Sequence, residues 1–207
     1  MKIKIISAYD EKFKEISDLS FPTLEKFSQK NKFDCERFFV EDFEKPTPWF
    51  KIDALIKVIE LNQYDYVLWV DSDAIIFNQN FDIESIINNN KILHIAKDFN
   101  DINSGVMLWK TCEESLSLLY KIQSMSEKYL NHIWWEQAAI IELYKNNVDN
   151  ILESTEFVEQ STLNAYEMVY YHRDIKKGQI NKNSFICHFP SLPTEIRKKL
   201  INYYIQS

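Results

Sequence analysis

The chain reads as an α/β protein with a largely parallel or mixed sheet covered by helices. Three observations predict this. Short runs rich in β-formers alternate along the chain with stretches whose apolar residues recur every three or four positions. The central run, Tyr66-Val67-Leu68-Trp69-Val70, is unbroken, as expected of a strand with helices on both faces. Finally, 207 residues at 45% hydrophobic and 27% charged have ordinary globular composition. A chain of that size buries roughly 70% of its unfolded surface, so one domain over 1–207 needs no disulfide or metal staple.

In order, residues 3–8 predict a buried first strand and residues 11–30 a helix. A short second strand is expected over 36–41. It leads into Lys45-Pro46-Thr47-Pro48, where Thr47 can cap and Pro48 suits the first turn of a helix running to 62. In that helix Phe50, Ala54, Leu55, Val58 and Leu61 form one apolar face. After the strand at 66–70, further strands are expected over 92–96, 104–109 and 183–188. Amphipathic helices are expected over 112–129, 134–145 and 194–205.

Composition excludes several functions. Gly105 and Gly178 are the only glycines, so there is neither a G-x-G-x-x-G turn nor a Walker P-loop. A net charge of -7, from 24 Lys+Arg against 31 Asp+Glu, repels a phosphate backbone and argues against nucleic-acid binding. Cys35, Cys112 and Cys187 are widely spaced and read as reduced thiols. Charge arrives at Asp10 and Glu11, too soon for a signal-peptide core, and no apolar run reaches the ~18 residues of a transmembrane span. The expected location is the cytoplasm, free or peripheral to a membrane.

The apolar run of the central strand stops at Asp71-Ser72-Asp73 and resumes at Ala74-Ile75-Ile76-Phe77. Two carboxylates there need a partner, because unpaired buried charge is costly. If strand geometry persists, residues two apart point the same way and both carboxylates face one spot. A divalent cation relieves their repulsion, and oxygen ligands favour Mg²⁺, Ca²⁺ or Mn²⁺. The bland alternative is a chance D-x-D in a turn, with Asp73 capping a helix. Its position beyond a strand's carboxyl end, where open α/β sheets bind ligands, favours a metal or phosphate site. A metal held this way suits a nucleotide diphosphate, whose charge it neutralises as a bond breaks.

Five blocks then follow in order: Pro48-Trp49-Phe50-Lys51 with Tyr66 to Ile76, Asp98-Phe99-Asn100-Asp101-Ile102-Asn103-Ser104-Gly105, Trp135-Glu136-Gln137-Ala138-Ala139, Asn164-Ala165-Tyr166, and His188-Phe189. Together they resemble glycosyltransferase family 34, retaining enzymes of the GT-A fold, over about 47–190. The resemblance implies that Asp71, Asp73 and His188 hold Mn²⁺ (or Mg²⁺) on a donor diphosphate, with Lys51 adding positive charge. It implies that Ser72, Asp98, Asn103, Ser104 and Gly105 lie along the donor, and that Glu136 and Gln137 sit near the anomeric carbon as catalytic groups. Ser7, Ala8, Tyr9 and Asp10, at the exit of the first strand, match where GT-A enzymes receive the base. Trp49 reads as core, and His94, His132 and His172 carry no assignment.

The implied reaction moves a hexose or pentose from a UDP- or GDP-sugar to a glycan or other hydroxyl acceptor. Two departures stand out. Phe189-Pro190-Ser191-Leu192 lacks the glycine that usually follows the late histidine, leaving Arg197 or Lys198 to supply charge. Eukaryotic members also carry an N-terminal membrane anchor and lumenal stem, which these 207 residues do not include, so the expectation is either a piece of a longer, anchored protein or glycosylation in the cytoplasm. A non-catalytic nucleotide-sugar or glycan-binding module is the alternative. A haloacid-dehalogenase-like phosphatase ranks lower, since Ala74-Ile75 replaces the Gly-Thr expected after its D-x-D.

Overall fold

The computed structural model describes residues 1–172 and 177–207. Its strands are β1 (Ile3–Tyr9), β2 (Asp34–Phe39), β3 (Tyr66–Val70), β4 (Ala74–Ile76), β5 (Leu93–Asp98), β6 (Asp101–Lys110), β7 (Thr155–Phe157) and β8 (Ile186–His188). Its helices are α1 (Lys14–Asn31), α2 (Phe50–Glu60), α3 (Glu113–Ser124), α4 (Trp135–Lys145), the single turns α5 (Ile151–Ser154) and α6 (Gln160–Leu163), and α7 (Thr194–Gln206). The main sheet runs β2-β1-β3-β6-β5-β7, and β4 pairs with β8 in a second, two-stranded sheet. In the main sheet only β6 opposes the other strands. The mixed α/β sheet expected from the sequence is therefore present.

Side-chain alternation explains why β3 is apolar throughout. Val67 and Trp69 point into the core formed with α2, α3 and α4, while Tyr66, Leu68 and Val70 pack with Phe21, Leu24 and Phe27 of α1. All five residues are buried, and full burial of one Val or Leu side chain is worth roughly 1.5–3 kcal/mol over exposure. The small sheet has its own core. Ile75 of β4 and Cys187 of β8 pack with Ile16 of α1 and with Leu200 and Ile201 of α7.

The structure departs from the sequence reading in a few places. Thr47 opens a 3-10 turn, Thr47–Trp49, without capping it; its hydroxyl donates to Asp10 Oδ2 at 2.9 Å. Helix α3 ends at Ser124, well before 129. Strands β5 and β6 extend toward each other into a hairpin, with Phe99-Asn100 as its turn and the Asn100 N–H donating to Asp98 Oδ1 at 2.6 Å. β4 and β7 are three residues each, too short for a period-two pattern to mark. The three cysteines are free thiols. No helix among the described residues is long and apolar enough to cross a membrane.

Candidate active site

Asp71 and Asp73 do come together, but through a turn rather than a continued strand. β3 ends at Val70, the Ala74 N–H donates to the Asp71 carbonyl at 3.0 Å, and the chain re-enters extended structure as β4. Asp73 thus precedes a strand and caps no helix. The turn is held from several sides. The Asp71 N–H donates to Gly105 O at 2.8 Å, Ser20 Oγ of α1 donates to Ser72 O at 2.6 Å, and the Phe189 N–H donates to Asp73 O at 3.0 Å. The β4–β8 ladder pairs Ala74 with His188, which sets the imidazole beside the carboxylates.

One possible ligand atom from each of Asp71, Asp73 and His188 lies within 4.8 Å of the others. Asp73 Oδ1 is 3.1 Å from His188 Nε2 and Oδ2 is 3.3 Å from Arg197 Nε. Burial would push the Asp73 carboxyl up, but the imidazole and guanidinium outweigh it and hold it down to about 2. Arg197 also donates to Phe189 O at 3.0 Å. Of the two cations considered after His188, Arg197 reaches the site, whereas Lys198 pairs with Glu15 and Glu195 at the surface. The donor set of two carboxylates and one imidazole fits a divalent cation that accepts oxygen and nitrogen. Each carboxylate has lone-pair sites beyond those now used.

Lys51 is buried, with its ammonium 3.0 Å from Asp71 Oδ1, 2.9 Å from Glu136 Oε1 and 3.2 Å from the Ser104 carbonyl. Burial alone would lower its pKa; the two carboxylates reverse this and raise it, so the ammonium stays charged. Burial raises the Glu136 carboxyl against the pull of Lys51, and the Asp71 carboxylate on the same ammonium adds to the rise. Glu136 Oε1 also accepts from Ser104 Oγ at 2.8 Å, while Oε2 is buried without a partner among the described residues. Gln137 turns to the same residue, accepting the Ser104 N–H at 3.1 Å. Trp135, which opens α4, has φ +38, a left-handed conformation uncommon for a bulky side chain.

Next to this triad lies a chain of buried polar contacts. Asn103 donates to Asp98 Oδ2 at 3.0 Å, and Tyr166 donates to the same oxygen at 2.9 Å. Burial, then the Asp98 carboxylate, pushes the Tyr166 phenol well up. Asn103 Oδ1 receives the Gly105 N–H at 2.9 Å and Asn164 Nδ2 at 2.8 Å. Asp98 and Asn103, on the two strands of the β5–β6 hairpin, are thus in direct contact.

These groups line a cleft with two lobes that share Pro48, Lys51, Asp71 and Trp135. The wider, about 440 Å³, is lined by Ala8, Tyr9, Asp10, Pro46, Ser72 and Asp73 among others. The narrower, about 300 Å³, is lined by Asp98, Asn103, Ser104, Gly105, Glu136, Gln137, Tyr166 and His188 among others. Ser7 is the exception among the donor residues expected from sequence: it is buried within β1 and lines neither lobe. Tyr9 reaches the wider lobe with the Arg37 guanidinium 4.6 Å from its ring. Asp10 accepts from the Phe13 N–H and from Thr47, so its carboxylate is partly spent on local structure. Trp49 is core, as expected.

The sequence reading gave no role to Trp135, Tyr166, Asn164 or Ser191. The available signal for Asn164 and Tyr166 was the Asn164-Ala165-Tyr166 block, which helped carry the resemblance without a role for either residue. Ser191 lines the narrower lobe with φ +57, so the loop makes a left-handed turn with serine in the absence of the expected glycine.

Gly105 is needed for space. A Cβ there would lie 2.2 Å from His188 Cε1 and 2.9 Å from Asn103 Oδ1. Gly105→Ala must displace the imidazole, and overpacking of this kind costs about 1–3 kcal/mol. The expected outcome is a folded but less stable protein with weakened Mn²⁺ binding, read by thermal unfolding and metal titration. Unchanged metal affinity would show that the ring is not held against this strand.

This architecture is the GT-A fold of glycosyltransferases, as comparison with solved structures shows. A glycosyltransferase involved in glycosylating the major capsid of PBCV-1 superposes with TM-score 0.78 at 17% identity, covering 98% of this chain and 100% of that one. The glycosyltransferase GlyE of Streptococcus pneumoniae TIGR4 gives 0.64 at 14% identity, covering all of this chain and 61% of that one. An active-site mutant of LgtC gives 0.61 at 11%, covering 98% and 95%. No family model matches the chain, and no curated protein matches it in sequence.

Proposed function

We propose that the chain is a retaining, metal-dependent glycosyltransferase acting as one catalytic domain over 1–207. It transfers a hexose or pentose from a UDP- or GDP-sugar to a hydroxyl of a glycan. The observation that carries this reading is the grouping of Asp71, Asp73 and His188 beside the waist of a two-lobed cleft in a GT-A fold. The family 34 resemblance supports the retaining outcome, and the solved neighbours support transferase chemistry.

Asp71, Asp73 and His188 would hold Mn²⁺ or Mg²⁺, which when bound supplies charge that stabilises the departing diphosphate. The wider lobe receives the nucleoside, with Tyr9 against the base. Lys51 adds fixed positive charge at the waist, where diphosphate and sugar join. Asp98 and Asn103 orient the sugar hydroxyls, and Gln137 lies beside the anomeric carbon. The acceptor hydroxyl attacks on the leaving-group face, and the departing phosphate oxygen takes its proton. Glu136 is a weak candidate for a covalent nucleophile, because Oε1 is committed to Lys51 and Ser104. Its contribution is to hold Lys51 in place.

The alternative of a non-catalytic binding module drew support from the missing glycine after His188; the left-handed Ser191 weakens that support. Calorimetry with UDP, GDP, CDP and dTDP, each with Mn²⁺ and with EDTA, tests the proposal. One diphosphate should bind saturably and only with metal. Folded protein that binds none of the four would overturn the donor site.

A further inference from the structure

Asn164 is fully buried between α6 and the segment that runs beside β8. Its orientation follows from a backbone group. The Gly105 N–H can only donate, and it lies 2.9 Å from Asn103 Oδ1, which fixes that atom as an acceptor. The Asn164 atom 2.8 Å from Asn103 Oδ1 must then be the amide nitrogen. Asn164 Oδ1 is left facing His188 Nδ1, also at 2.8 Å. A carbonyl oxygen only accepts, so the hydrogen in that contact sits on Nδ1. The other ring nitrogen, Nε2, is turned toward Asp73 Oδ1 at 3.1 Å, a contact that takes a second ring hydrogen, one that a metal on Nε2 would replace.

Backbone pairing keeps the two side chains together. The Ala165 N–H donates to Ile186 O at 3.0 Å, and the His188 N–H donates to Ala165 O at 2.8 Å. An amide in this setting is costly unless its bonds are made, and a Leu would fill similar space among Leu163 and Ala165. Packing alone therefore gives no reason for Asn.

We propose that Asn164 is a positioning residue that holds His188 with its proton on Nδ1 and its ring plane fixed, so that Nε2 is presented to a metal between Asp71 and Asp73. This rests on the reading of His188 as a metal ligand. The outer partner of a metal-binding imidazole commonly sets tautomer and orientation, and its loss typically costs 10–100-fold in metal affinity.

Two variants separate this role from packing. Asn164→Leu and Asn164→Asp both lose the donor to Asn103, but only Asp keeps an oxygen that can accept from Nδ1. The first readout is Mn²⁺ affinity with the metal alone, from the electron paramagnetic resonance signal of the free ion. The second is the ¹⁵N–¹H spectrum of His188 in metal-free protein. Wild type and Asn164→Asp should carry hydrogen on Nδ1 and bind Mn²⁺ within a few-fold of each other; Asn164→Leu should lose that state and bind roughly 10–100-fold more weakly.

Equal loss of affinity in the two variants, or wild-type affinity in Asn164→Leu, overturns the proposal. A wild-type His188 without hydrogen on Nδ1 overturns it with no variant at all. If wild type binds no Mn²⁺, the metal reading falls by itself, and the spectra of the two variants still decide whether Asn164 sets the ring.

Discussion

Replacing Asp73 with Asn should abolish metal-dependent nucleotide binding. Asp73 stands between His188 and Arg197 with one carboxylate oxygen on each, and it is buried. The amide keeps the shape but withdraws the negative charge that balances Arg197, and it offers one weak oxygen where a cation needs an anionic one. Calorimetry of the diphosphate that wild type binds should show at least a ~100-fold loss with Mn²⁺ present, by analogy with removing charge from a metal shell. Stability should fall as well, by about 1–3 kcal/mol, since the guanidinium loses a charged partner. A variant that binds the nucleotide normally and only with Mn²⁺ would overturn the assignment of the metal site.

The second large effect belongs to Lys51. Replacement by Met leaves the Asp71 and Glu136 carboxylates facing each other without their base, and Glu136 is buried. Breaking one side of a buried ion pair typically costs about 3–5 kcal/mol. In a chain of this length that is a fall of roughly 6–20 °C in the unfolding midpoint. Changing Glu136 to Leu in the same chain should recover much of the midpoint, because the uncompensated acid is gone. Circular dichroism melts of the single and double variants measure both effects. A Lys51→Met midpoint within about 2 °C of wild type would mean that water or another cation already satisfies the carboxylates.

Much of this site was legible in the sequence because its chemistry interrupts strong patterns. Asp71 and Asp73 stand out only because Val67 to Val70 and Ala74 to Phe77 are so apolar, and Gly105 stands out because glycine is so scarce. What stayed hidden depends on contacts between distant segments. The turn that brings the two acids together takes its shape from Ser20, Gly105 and Phe189, which no local pattern links to it. Lys51 read as a charge for the ligand, yet its present partners are Asp71 and Glu136; the longer side chain of Glu136 spans a gap that spacing cannot reveal. Ser7 was placed at the donor because the end of β1 was read as one unit, whereas Ser7 lies two residues short of the strand's end and is buried there. Arg197 reaches Asp73 only because α7 folds back on α1.

The ladder between β4 and β8 has a consequence for how the protein is made. Asp73 and His188 are 115 residues apart along the chain, yet they meet across one strand pair. A ribosome delivers the acids well before the imidazole, so the turn at Asp71-Ser72-Asp73 waits for its Phe189 and His188 partners while the intervening segments are made. During that interval Ile75 also lacks the cover of Cys187 and α7. Late closure of this kind delays the ordering of the last turn of the cleft until the C-terminal segment has docked. The three-residue cluster thus forms only once β8 has docked beside β4, and a chain interrupted before His188 carries the acids but cannot form it.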